Sequence, residues 1–352
     1  MLKKLTLFLV FLILATVGSG YYFYEYQLNT SLKSKTEITY KVEQGQTLTD
    51  IAIDLMDRRL MNYPTALVWV WAARFNGQDV KIRKGHFLIP VGTTPQGFLD
   101  ILLHAKPVQH TLALIEGWTF KKILSKIRKD KHLKLTLNDL STKQVMQKLG
   151  HEKQHPEGRF FPDTYHFPKD MTDLEFLQRA YNMMQNTLSA EWENRQSGLP
   201  LKTAYEALIL ASIVEKETGK AEERPQIARV FINRLNKGIK LQTDPTVIYA
   251  LGEKYDGNIR SNDLKYRSPY NTYLNKGLPP TPIATPSKEA IHAVLNPIDS
   301  NALFFVAKGD GSHYFSSTNK EHSCAVIRYQ LKKHSSRYNQ WCRRYKNCSA
   351  CK

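Results

Sequence analysis

"TAYEALILASIVEKETG", residues 203–219, decides how this chain is read. Residues 207–214 form an apolar run broken only by Ser212, and Gly219 stands as a natural helix stop. A helix that is apolar all round is a buried one, so this stretch predicts a central core helix. Yet it ends on Glu215, Lys216 and Glu217, where an uncompensated charge is expensive. The two glutamates are two residues apart and point about 200° away from each other around the axis. One is expected to line a cleft while the other meets solvent or an ion pair, with Arg224 or Arg229 as partner. A helix C-terminus and a dry wall both push a carboxyl pKa upward, the state a general acid needs near neutral pH. A frayed, solvated helix end with ordinary glutamates is the plain alternative.

Downstream, residues 225–237 read as a second helix closed by Gly238, and 239–251 as a strand-like run. Polar side chains then fall in loops stiffened by proline: Gln242, Asp244, Tyr270, Asn271 and Tyr273. Aromatic rings stack on sugar faces and amides bond hydroxyls, so these are candidate saccharide ligands. Each also has a structural reading. Asp244 before Pro245 suits a turn cap, and the tyrosines suit a core with bonded hydroxyls.

The 352 residues carry a formal charge of +18 with 42% hydrophobic and 11% aromatic content, which describes a folded protein with an anionic partner. The N-terminus narrows that partner. Lys3 and Lys4 precede twenty residues without a charge, 5–24, enough for one membrane-spanning helix with a cytoplasmic N-terminus and an exported body. Tyr21, Tyr22, Phe23 and Tyr24 suit the outer interface. A cleaved signal peptide is the competing reading, since 15–20 is rich in small residues. Either way the body faces outward, which argues against nucleic acid. Cys324, Cys342, Cys348 and Cys351 all lie near the C-terminus, among eight Lys/Arg and no Asp or Glu from residue 324 onward. They suit disulfides in an oxidising compartment, or zinc through Cys348 and Cys351 with two others.

"YKVEQGQTLTDIAIDL" (40–55) reads as strand, glycine turn and a helix capped by Thr47; 64–77 is a second helix, and 80–95 alternates like a hairpin. That order resembles the LysM module, which binds amino-sugar chains. Residues 94–148 read as short helices and a strand with a helix start at Thr119, 155–172 as a rigid loop, and 173–192 as an amphipathic helix.

"ASIVEKET", "VFINRL", "LQTDPTVIYALG", "YNTY", "GLPPTPIATPS", "LFFVAKGDGSHYFS" and "EGRFFPDTYHF" together resemble the MltG-type endolytic murein transglycosylases, the YceG-like family. The resemblance implies an α+β chain: 1–25 stub and transmembrane anchor, 26–38 linker, 39–105 LysM-like domain, 106–150 connecting subdomain and 151–335 a mixed α/β catalytic domain. Residues 336–352 remain as a basic, cysteine-bearing tail. It implies cleavage of the β-1,4 bond between N-acetylmuramic acid and N-acetylglucosamine within nascent peptidoglycan, closing a 1,6-anhydro ring and limiting glycan elongation. Carried over, the catalytic acid is Glu215. Glu217, Gln242, Asp244, Tyr270, Asn271 and Tyr273 are the expected substrate-binding residues, and no cofactor or metal is implied. One carboxyl suffices for that reaction, whereas a hydrolase needs two, and Asp244 keeps hydrolysis open. Expected partners are peptidoglycan strands, the cytoplasmic (inner) membrane and cell-wall synthases. The rival reading is a non-enzymatic, membrane-anchored peptidoglycan binder that organises those synthases.

Overall fold

The computed structural model describes residues 2–80, 82–345 and 347–351. Met1 of the anchor stub, Lys81 of the expected hairpin, and Lys346 and Lys352 of the basic tail lie outside the described residues. The fold is mixed α+β, with small two-stranded sheets among many helices. It divides into two compact units, one ending at Thr111 and adding 166–170, the other holding 112–165 and 171–352.

The first unit begins with α1 (Leu2–Asn29), then β1 (Ile38–Val42), α2 (Leu48–Asp57), α3 (Tyr63–Phe75), β2 (Gly85–Ile89) and α4 (Pro95–His104). Residues Lys3–Asn29 of α1 are long and apolar enough to cross a membrane. At about 1.5 Å per residue that is roughly 40 Å of helix, against a hydrocarbon core of about 30 Å. Leu28 at its end is buried in the unit's core. Thr47 caps α2 in a full capping box with Asp50, as its spacing predicts. Residues 80–95 supply one strand rather than a hairpin: β2 pairs antiparallel with β1, Tyr40 opposite Phe87. That pairing brings Tyr40 against Phe98, which also meets Trp69, both edge to face at 5.1 and 5.8 Å.

The second unit is entered through β3 (Gln109–Leu114), followed by α5 (Phe120–Arg128), α6 (Thr142–Lys148), β4 (Asp163–Pro168) and α7 (Asp173–Glu193). The expected rigid loop at 155–172 therefore contains a strand, paired with β3. Tyr165 and Phe167 alternate into the core from that strand, the period of two that the loop reading overlooked. Next come α8 (Ala204–Glu217), α9 (Arg224–Asn236), α10 (Asp244–Leu251), α11 (Lys288–Leu295), β5 (Phe304–Ala307), β6 (His313–Ser316), α12 (Asn319–Tyr329) and α13 (Ser336–Arg344). Residues 239–251 are thus not a strand. Asp244-Pro245 opens a helix, where the fixed proline φ is favourable and its missing N–H costs nothing.

Helix α8 is the axis of this unit. Every residue from Ala207 to Val214 is buried, packed among Ile227, Phe231, Ile291 and Val294 of α9 and α11. Ser212, its one polar residue there, donates to the Ile209 carbonyl at 2.7 Å and accepts the Ile283 N–H at 2.9 Å. The helix stops because Thr218 turns extended, one residue before the expected glycine stop. Leu210 is fully buried in this cluster. Leu210→Ala is expected to cost about 3 kcal/mol through lost burial and the cavity left behind, read as a lowered unfolding midpoint of the detergent-solubilised chain.

At the C-terminus the cysteines form two disulfides, Cys324–Cys348 and Cys342–Cys351. The disulfide alternative is therefore the one realised.

Candidate active site

The two glutamates at the end of α8 go separate ways, as their angular separation requires. Glu215 turns inward. Its Oε1 lies 3.3 Å from Nη2 of Arg224, at the start of α9. Its Oε2 accepts the Ser287 backbone N–H at 3.0 Å and the Ser287 hydroxyl at 2.5 Å. The side chain is only 4% exposed. Ser287 is the N-cap of α11, so the carboxylate also sits at the positive end of that helix. Glu215 thus clasps three helices, and both its oxygens are occupied. This corrects the expectation that Glu215 faces the cleft.

Glu217 does face it. The cleft, about 540 Å³, is lined by Glu217, Gln242, Thr243, Asp244 and Tyr273, with Arg234 and Phe304 on other walls. Burial pushes the Glu217 carboxyl up to about 7, helped by the charge of Asp244 and opposed by a hydrogen bond from the Thr243 hydroxyl. The Tyr273 hydroxyl donates to Asp244 at 2.6 Å, aligning that carboxylate at the first turn of α10. Gln242 has a left-handed backbone, φ 53°, an uncommon conformation for a residue with a side chain and one that concentrates at functional sites. Its strain is held from both sides. The Gln242 N–H donates to the Thr272 carbonyl at 3.2 Å, and Arg234 donates to the carbonyls of Lys240 and Leu241 at 3.0 and 2.9 Å.

Of the expected ligands, then, Glu217, Gln242, Asp244 and Tyr273 share one cleft. Tyr270 and Asn271 do not line it. Asn271 is fully buried and donates to the carbonyls of Leu264 and Tyr266 at 3.0 and 2.8 Å, while accepting the Tyr273 N–H at 2.9 Å. It shapes the loop that presents Tyr273. Tyr270 bonds Thr281 at 2.8 Å and packs on Tyr249. Both are corrected from ligand to scaffold.

Sequence reasoning passed over three parts of this region. Thr243 is one, recognisable only once its neighbour Glu217 is known. The aromatic wall is another: Phe304 stacks on His322 at 5.1 Å, and both line the cleft. The third is Glu157, a buried carboxyl behind α10 that accepts the Phe120 N–H at 2.7 Å and the Tyr249 hydroxyl at 3.1 Å. Burial raises it to about 7 as well, against those hydrogen bonds. Its signal was the "EG" of the loop motif. Gly158 holds φ +76°, and a Cβ there would lie 2.6 Å from Pro282 Cβ, so only glycine lets this loop close on the proline-rich segment.

A YceG-like family model matches residues 40–328, which takes in both glutamates and every cleft residue named above. An endolytic murein transglycosylase of Bacillus subtilis is 31% identical over 313 residues, 84% of this chain and 86% of that protein. One from Streptococcus pneumoniae strain D39 is 29% identical over 361 residues; the match covers 92% of this chain but 64% of that longer protein. The crystal structure of a yceG-like protein from Listeria monocytogenes aligns with a TM-score of 0.50 at 28% identity, covering 82% of this chain and 98% of that one.

Proposed function

Because the chain belongs to the YceG-like family, we propose that it cuts murein glycan in the cleft beside Glu217, with Glu217 as the acid–base residue. The enzyme is a lytic transglycosylase acting endolytically on peptidoglycan. One observation carries the assignment: a carboxyl raised to about 7 stands at the end of the buried α8 and faces an open saccharide-sized cleft.

The chemistry follows from that carboxyl. Protonated Glu217 gives its proton to the glycosidic oxygen as the bond from muramic C1 breaks. The sugar's own C6 hydroxyl then attacks C1, and its proton passes to the Glu217 carboxylate. The catalyst returns to its starting state, water takes no part, and one group has served as acid and then base. Asp244 faces the positive charge that develops on the ring, with Tyr273 fixing its orientation. Gln242 and the Phe304–His322 wall supply amide and stacking contacts to the sugars.

The rest of the chain serves delivery. Helix α1 is read as a single-pass anchor in the cytoplasmic membrane, Lys3 and Lys4 inside and the body outside. The two disulfides support an oxidising location for that body. The segment 39–105 is read as a LysM-like glycan-binding module, 106–150 as its connection, and 151–335 as the catalytic domain. Cell-wall synthases, which extrude strands at that membrane, are the partners this placement offers.

Mass analysis of fragments released from purified murein tests the reaction type. The expected products end in 1,6-anhydromuramic acid, lighter by one water than reducing ends. Reducing ends instead would make the enzyme a hydrolase, with Asp244 as its second carboxylate.

A further inference from the structure

The first turn of α10 has two faces, and the reaction uses one. Thr243 and Asp244 line the catalytic cleft; Pro245 and Ile248 line a second cavity of about 550 Å³. The end of α8 divides in the same way. Glu217 faces the cleft, while Lys216 faces the second cavity, its Nζ 3.4 Å from the Gly117 carbonyl. Ile283 completes an apolar floor, and Lys121 stands at the edge, paired with Glu253. No proton or bond exchanged at Glu217 involves these groups.

We propose that this second cavity binds the acidic stem peptide carried by the muramic acid that is being cut. The inference rests on the reading of Glu217 above and deepens it. A muramic ring must lie against Glu217, because its glycosidic oxygen and its C6 hydroxyl both exchange a proton with that one carboxyl. The peptide on its lactyl group therefore departs from beside Glu217, one residue from Lys216. Alanine methyls match the apolar floor of Pro245, Ile248 and Ile283, and a peptide carboxylate matches the Lys216 ammonium. A bare glycan strand, neutral and hydroxyl-covered, offers neither. A charge-assisted hydrogen bond of this kind contributes roughly 1.5–3 kcal/mol, more than tenfold in affinity.

The test compares uncrosslinked glycan strands bearing stem peptides with the same strands after amidase removal of the peptides, using the full-length protein in detergent. The wild type is expected to cut stem-bearing strands at least about tenfold better in kcat/KM, chiefly through KM. Lys216→Glu, at an exposed position, and Ile248→Ala are each expected to bring that ratio towards one. Equal cutting of both substrates by the wild type would overturn the proposal. So would variants that slow both reactions by the same factor and leave the ratio intact. Failure of the wild type to cut either strand is a separate result, which removes the enzymatic reading and this inference with it.

Discussion

Glu217→Gln is expected to slow the release of anhydro-ended fragments by about 10³-fold or more, at the upper end of what loss of a single acid–base group produces. The amide keeps the hydrogen-bonding shape towards Thr243 but cannot give up and recover a proton. Fold is retained, and the sign of the stability change can be worked out. An ordinary glutamate titrates near 4.5, and burial holds this one at about 7, so the folded state binds the extra proton between those values. The raised pKa therefore contributes stability that is complete below about 4.5 and lost as pH rises through about 7. Above pH 7 the wild type carries a buried carboxylate that the glutamine variant lacks. The variant is expected to melt at a higher temperature there, a trade of stability for activity. The same titration sets the wild-type rate, which is expected to fall as pH rises through about 7, because the acid must start protonated. A variant with an unaltered rate would place the chemistry on another group.

Much of this was legible in residues 203–219. The apolar run fixed α8 as the central helix, and the angular spacing of Glu215 and Glu217 fixed that only one could face a cleft. Which one could not be read there. The choice depends on Ser287, seventy-two residues downstream, and on where α9 places Arg224, both matters of tertiary packing. Local propensity misled at 239–251, where β-branched and aromatic residues suggest a strand but Asp244-Pro245 starts a helix buried against α8. Tyr270 and Asn271 were drawn into the site by their chemistry. An amide in a proline-rich loop serves equally well to tie its own backbone, and Asn271 does so with three hydrogen bonds. The strained Gln242 carries no sequence mark at all, since left-handed backbone is favoured by glycine and asparagine rather than glutamine.

The division of labour between the glutamates has a second consequence. Arg224→Met is expected to destabilise the protein by about 3–5 kcal/mol, because it leaves the Glu215 carboxylate buried with only Ser287 to solvate it. The guanidinium side chain is 12% exposed and the carboxylate 4%, so water cannot take over. Methionine fills similar volume, which confines the effect to charge. Glu215→Gln alone strands the opposite partner and is expected to destabilise as well. The double variant Glu215→Gln/Arg224→Met removes both charges and is expected to recover most of the lost stability, since a neutral pair of similar size avoids the desolvation cost. Unfolding midpoints of the four proteins in detergent give the cycle directly. Activity separates this clasp from catalysis. The double variant, refolded to near wild-type stability, is expected to keep cutting glycan, because Glu217 and its cleft are intact. If it melts like the wild type yet releases no fragments, Glu215 is the acid after all, and the assignment to Glu217 falls.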